Sequence, residues 1–161
     1  MIIMMNFETK TIAFDMDGTL YDLYGQQFWL ARLRSEDSSV FESGTALVDI
    51  DKFIDVCKKL QNQGWTIGII TWLPKDATLQ YQFDSAQAKT EWLKSNGLDF
   101  FQFYSTLPYG TDKKTGLPFR ADYNLLVDDN REVRAEWEIN ERYKTLTEKY
   151  IVQELEKLLV Y

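Results

Sequence analysis

The stretch IAFDMDGTL, Ile12 to Leu20, runs apolar residues into two carboxylates, Asp15 and Asp17, and then breaks at Gly18. It reads as a buried strand ending in a polar turn, and three chemistries fit it. One is a calcium loop, one a solvated turn, and one a catalytic pair of acids. Counted from Asp15, a calcium-binding loop needs glycine at its sixth position and glutamate at its twelfth. The chain has Leu20 and Gln26 there, so the calcium reading fails. Turn chemistry accounts for the Asp and the Gly, but not for Thr19, nor for a second acidic pair at another strand end.

That second pair closes YNLLVDD (123–129), one of four β-type runs. The others are TIAFD (11–15), WTIGIIT (65–71) and FFQFYS (100–105), and YKTLT (143–147) reads as a short edge strand. TIAFD and WTIGIIT are rich in β-branched residues, as strands buried on both faces should be. Helical patterns lie between the strands. The clearest runs from Ile50 to about Asn62, with Asp49 as N-cap and Gly64 beyond its end. A second is expected from about Ala86 to Asn96, capped by Asp84 or Ser85 and stopped by Gly97. A third follows Asp129 through NREVRAEWEI, and a last, EKYIVQELEKLLV, puts Ile151, Leu155, Leu158 and Leu159 on one face.

Strands alternating with helices predict an α/β fold, a Rossmann-like three-layer sandwich around a mainly parallel sheet. At 161 residues the chain is expected to form a single domain. In such sheets ligands bind outside the carboxyl ends of the strands. Asp15, Thr71, Asp128 and Asp129 all fall at those ends, so three separate runs deliver polar groups to one rim.

Composition narrows the chemistry. The chain has no histidine, which removes histidine-based triads and every histidine-ligated metal site. A metal must then be held by oxygen, and proton transfer must use carboxylates, lysine or tyrosine. The single cysteine, Cys57, shares a helical face with Ile50, Phe53, Ile54 and Leu60 and reads as a buried core thiol. The net charge of -7 argues against a general nucleic-acid coat but leaves room for a small phosphorylated substrate. No apolar run approaches the roughly 20 residues that span a bilayer. The opening MIIMMNFETK reads as a short lead-in to the first strand, with Met4 and Met5 as alternative starts. A soluble cytoplasmic protein with no membrane contact is expected.

The catalytic reading of the opening stretch is economical. Asp15 can attack phosphorus and split a phosphoryl transfer into two easier steps. Asp17 can protonate the leaving oxygen and later activate water. Gly18 frees the backbone to turn sharply and present amides to a phosphate.

With these residues in place, the chain resembles the haloacid dehalogenase superfamily of phosphatases, small-cap and nucleotidase-like members in particular. DMDGT matches the family's first motif, Thr71 after IGII its second, and LLVDD its acidic fourth. The resemblance covers residues 11 to about 130 and implies Mg²⁺ dependence, with Asp15 as nucleophile and Asp17 as acid and base. It implies Asp128 as direct metal ligand, Asp129 as helper, and a second role for Asp17 through its backbone carbonyl. Gly18, Thr19, Thr71 and Trp72 become the expected phosphate and substrate contacts. The third-motif lysine is expected to be Lys113 in PYGTDKKTG, with Lys114 and Arg120 as runners-up.

Residues 21–48 can form one helix and a loop, a minimal cap, and TWLPKDATLQYQFDS adds a loop above the rim. These segments hold Tyr21, Tyr24, Phe28, Trp29, Trp72, Tyr81 and Phe83, aromatics able to stack on a nucleobase. The competing expectation is that Phe28 and Trp29 pack on the sheet. Three functional readings follow: a phosphomonoesterase acting on a nucleoside monophosphate, a polynucleotide-end phosphatase, or a binding protein that retains the fold without the activity.

Overall fold

The computed structural model describes residues 9–161. Most of the lead-in, with Met4 and Met5, lies outside them. Among the described residues, five parallel strands form one sheet: β1 (Lys10–Phe14), β2 (Trp65–Trp72), β3 (Phe103–Leu107), β4 (Tyr123–Val127) and β5 (Tyr143–Leu146). Their spatial order is β3-β2-β1-β4-β5. The helices are α1 (Trp29–Arg34), α2 (Ile50–Asn62), α3 (Leu79–Ser95), α4 (Arg131–Trp137) and α5 (Ile151–Glu156). The expected α/β three-layer architecture is what the chain adopts.

The strand pattern decides which residues face which layer. Alternate side chains point to opposite faces of a sheet. Ile12, Phe14, Ile67, Ile69, Leu125 and Val127 therefore enter the larger core, with Phe53 and Leu60 of α2 and Ile151 and Leu155 of α5. Ala13, Ile70 and Leu126 enter the smaller core on the other face, under Val133 and Trp137 of α4. Phe14 and Phe53 meet edge to face, with ring centroids 5.0 Å apart. Cys57 is fully buried in the larger core, and burial pushes its thiol pKa up. It is an inert packing residue.

Helix α2 has the expected bounds, with the Asp49 carboxylate accepting from the Lys52 N–H. Two other elements differ from the sequence reading. Helix α3 begins at Leu79 rather than near Ala86, capped by Thr78, whose hydroxyl accepts from the Tyr81 N–H. Its first turns leave Leu79 and Phe83 84% and 66% exposed, so no apolar stripe announces them. Strand β3 begins at Phe103. Phe100 and Phe101 precede it and pack as aromatics, Phe101 reaching both Phe14 and Phe53.

Residues 21–48 carry α1 and a 3-10 turn over Ser38–Phe41. This segment is tied down at defined points. The Glu36 carboxylate accepts from the Thr78 N–H and hydroxyl at 2.9 and 3.1 Å, and the Tyr81 hydroxyl donates to the Asp37 carbonyl. Trp92 of α3 donates its ring N–H to the Gly44 carbonyl. No helix of the described residues is long and apolar enough to cross a membrane.

The Phe14–Phe53 contact gives a direct test of the core. Phe53→Ala should destabilise the chain by about 3–5 kcal/mol, the usual cost of truncating a buried phenylalanine. The measurement is the urea unfolding midpoint at unchanged slope.

Candidate active site

In chain order, β2 and β3 are added to one side of β1, and β4 and β5 to the other. The strand order reverses at β1/β4, and this switch point is where ligand crevices form in open parallel sheets. Asp15 leaves β1 at that point, its N–H donating to the Val127 carbonyl. Asp128 leaves β4 beside it, its N–H donating to Leu146. Backbone pairing thus delivers both carboxylates to one place.

The turn after β1 is built by Gly18, at φ +81°. A Cβ there would sit 2.3 Å from the Asp129 carboxylate and 2.7 Å from the Tyr24 ring, so no other residue fits without displacement. The Gly18 and Thr19 N–H groups donate to the Tyr21 and Met16 carbonyls. They serve the turn rather than facing a phosphate, contrary to the sequence expectation. Thr19 is fully buried, and its hydroxyl donates to Asp15 Oδ2 at 2.9 Å while accepting from the Asp129 N–H at 3.1 Å.

Lys113 opens a 3-10 turn (Lys113–Gly116) that sits on the sheet. Gly116 permits this approach, since a Cβ there would meet Ile70 at 2.9 Å. The Lys113 Nζ donates to Asp15 Oδ1 at 2.8 Å and to Asp128 Oδ2 at 2.7 Å. Of the candidate cations, Lys113 is therefore the one brought to the acids. Lys114 turns away to the Glu136 carbonyl and to Asp112, and Arg120 is exposed and outside the cleft wall.

Asp15, Asp128 and Asp129 each offer a carboxylate oxygen, all within 4.8 Å of one another. Hard oxygen donors at this spacing suit a divalent cation such as magnesium. The side chain of Asp17 lies outside this trio and instead meets Lys89 of α3. Lys89 Nζ donates to Asp17 Oδ2 at 2.8 Å, to Thr71 Oγ1 at 2.8 Å and to the Trp72 carbonyl at 2.9 Å. The sequence reading missed Lys89. Its signal was a lysine in register with Tyr81, Ser85, Ala88 and Trp92 on the buried face of one helix. Thr71 is fully buried against this lysine and does not line the cleft, whereas the neighbouring Trp72 does.

The acids repel one another. Burial, then the charge of Asp15, raises the pKa of Asp128 and of Asp129. Asp17 is raised too, by burial above all, with Lys89 opposing. Burial alone would lower the pKa of Lys113, but Asp15 and Asp128 outweigh it and hold the ammonium protonated.

A cleft of about 930 Å³ opens over this rim. Of the aromatics named from sequence, Tyr24, Trp29, Trp72 and Tyr81 line it. Tyr21 is core, its hydroxyl bound to Val40 O, and Phe28 and Phe83 are exposed. Phe28 is 70% exposed and does not pack on the sheet as the competing expectation held, whereas Trp29, edge to face with Tyr24 at 4.9 Å, is partly buried against the larger core. Tyr109, with its ring centroid 4.9 Å from that of Trp72, and Phe41 complete the wall.

Compared with known proteins, the chain matches no family model and no curated protein.

The raised carboxylate pKa values carry a sign. Asp17, Asp128 and Asp129 titrate above their ordinary 3.8 in the folded chain, so the folded state keeps protons that the unfolded state has released. Their contribution to stability is therefore full only below the unfolded value of 3.8 and is lost as pH rises through the folded values. The urea midpoint of the metal-free chain should fall between about pH 5 and about pH 9, and Asp129→Asn should flatten that fall. A midpoint that rises over this range in the metal-free chain would contradict the electrostatic picture.

Proposed function

We propose that this chain is a Mg²⁺-dependent phosphomonoesterase that works through an aspartyl-phosphate on Asp15. One observation carries the reading. Asp15 is held by both oxygens, to Thr19 and Lys113, at the sheet's switch point and beside a second acidic pair. A nucleophile fixed in this way loses little freedom on reaching the transition state. The match of DMDGT, Thr71 and LLVDD to the haloacid dehalogenase motifs supports the same conclusion.

In this mechanism an Asp15 oxygen attacks phosphorus as the bond to the leaving oxygen breaks. Asp17 gives that oxygen a proton. Water then attacks the aspartyl-phosphate, passes a proton to Asp17 and releases phosphate, which regenerates the Asp15 carboxylate. Lys113 spends two of its three N–H donors on Asp15 and Asp128, leaving one for a phosphate oxygen. Asp15, Asp128 and Asp129, with the Asp17 backbone carbonyl, would hold Mg²⁺, which offsets repulsion between the carboxylates and a dianionic substrate.

For the substrate we favour a nucleoside monophosphate. The cleft has the size of a small-molecule site, and Trp72 and Tyr109 offer a stacking pair beside the acids. The net charge of -7 counts against an oligonucleotide end.

Two measurements test the proposal. In a screen of nucleotides, sugar phosphates and phosphorylated oligonucleotides, turnover should require Mg²⁺, and Asp15→Asn should lower it by more than about 10³-fold while the chain stays folded. Tyr109→Ala should cut kcat/KM for nucleoside monophosphates about tenfold, the loss of one stacking contact, and leave glycerol phosphate unaffected. Wild-type rates in Asp15→Asn would remove the nucleophile assignment.

A further inference from the structure

Lys89 is 1% exposed, and its ammonium group sits 4.9 Å from the centroid of the Phe41 ring. An ammonium has three N–H donors. All three are taken: one by Asp17 Oδ2, one by the Thr71 hydroxyl oxygen, one by the Trp72 carbonyl. Nothing is left over for a substrate phosphate. This separates Lys89 from Lys113, which holds two carboxylates and keeps a donor free.

The consequence falls on Asp17. One of its oxygens accepts from Lys89, and the other, Oδ1, is buried with no hydrogen-bond partner among the described residues. A buried oxygen without a partner is costly, and in folded proteins such atoms recur where chemistry needs them. Asp17 itself lines the cleft, so Lys89 holds its carboxylate at the wall that a substrate would face. The other two bonds of Lys89 anchor the ammonium to the end of β2, so the height of Asp17 above the sheet is fixed from a helix remote in sequence.

We infer that Lys89 is a positioning residue for the proton transfer made by Asp17, fixing its carboxylate at the cleft wall where the leaving oxygen is met. This rests on the phosphatase reading above. In the step concerned, the P–O bond to the leaving group breaks as the Asp15 O–P bond forms. The leaving oxygen keeps the bonding pair and takes the proton from the Asp17 carboxyl group. Lys89 neither gains nor loses a proton.

The test compares two phosphate esters that differ in their need for that proton. An alkyl ester such as glycerol phosphate or a nucleoside monophosphate leaves as an alcohol and needs it, whereas p-nitrophenolate leaves without it. The ratio kcat/KM reports events up to the first irreversible step, so it isolates formation of the aspartyl-phosphate from its hydrolysis. Lys89→Met should lower kcat/KM for the alkyl ester by about 10²-fold or more, the usual worth of a placed general acid. For p-nitrophenyl phosphate the loss should stay under about fivefold, since this leaving group draws little on that acid. Lys89→Arg keeps the charge but not the three-way geometry. It should show the same selectivity with a smaller alkyl loss, and it carries the test alone if Lys89→Met does not fold. Equal losses on both esters would overturn the inference, because they mark a phosphate contact or a general structural role. So would unchanged rates on both. If wild type hydrolyses neither ester with Mg²⁺ present, the phosphatase reading itself falls and takes this role with it.

Discussion

Four carboxylates, Asp15, Asp17, Asp128 and Asp129, crowd the mouth of one parallel sheet, and two buried ammonium groups stand among them. Fully ionised, the cluster carries two negative charges more than positive ones. Burial makes that excess expensive, because the medium screens it less than water does. The folded chain meets the cost partly by retaining protons, as the raised pKa values of Asp17, Asp128 and Asp129 indicate. A bound divalent cation would meet it completely. The rest of the core serves to hold these groups together against their repulsion, through a turn that admits only glycine at Gly18 and strands packed on both faces.

Much of this arrangement was legible in the sequence because it is local. A strand that ends in Asp announces both its period and its terminus, and the parallel order then fixes where the terminus lies. The opening stretch, WTIGIIT and YNLLVDD could be read in that way, and β1, β2 and β4 are the strands that adjoin one another in the sheet. Helix α2 was legible for a different reason, having a clean cap at Asp49 and an apolar stripe through Phe53, Cys57 and Leu60. Lys113 could be placed only by motif order. What brings it to the acids is a 3-10 turn seated on Ile70, a contact between segments distant in sequence.

The misreadings share one cause, which is that tertiary contacts override the local pattern. The first turns of α3 bury Tyr81 but expose Leu79 and Phe83, so hydrophobic periodicity sees a loop, while the Thr78 cap and the tie to Glu36 secure a helix. In FFQFYS the first two aromatics belong to the core beneath the sheet rather than to the strand. The amides of the DMDGT turn were expected to face a ligand, but the turn needs two of them for itself. Lys89 is the instructive case. A lone lysine in a mixed helix is ordinarily solvated, and only its register with four buried residues set it apart.

The two lysines solve different parts of one problem. In the mechanism proposed above a nucleophile must be held still yet left open to the substrate, and Lys113, with a donor to spare on a turn at the cleft wall, would do this. In the same proposal the proton carrier, Asp17, must be held in place without competition for the substrate, which calls for an ammonium with no spare donor and no access to substrate. That requires a cation reaching in from beneath, on a helix that is itself anchored. Helix α3 meets the requirement. Its N-terminal cap residue, Thr78, is bound to Glu36 of the segment roofing the cleft, and Lys89 stands about three turns further along the same helix. The roof of the cleft and the placement of Asp17 thus share one rigid element, so a shift of α3 that disturbed one would disturb the other.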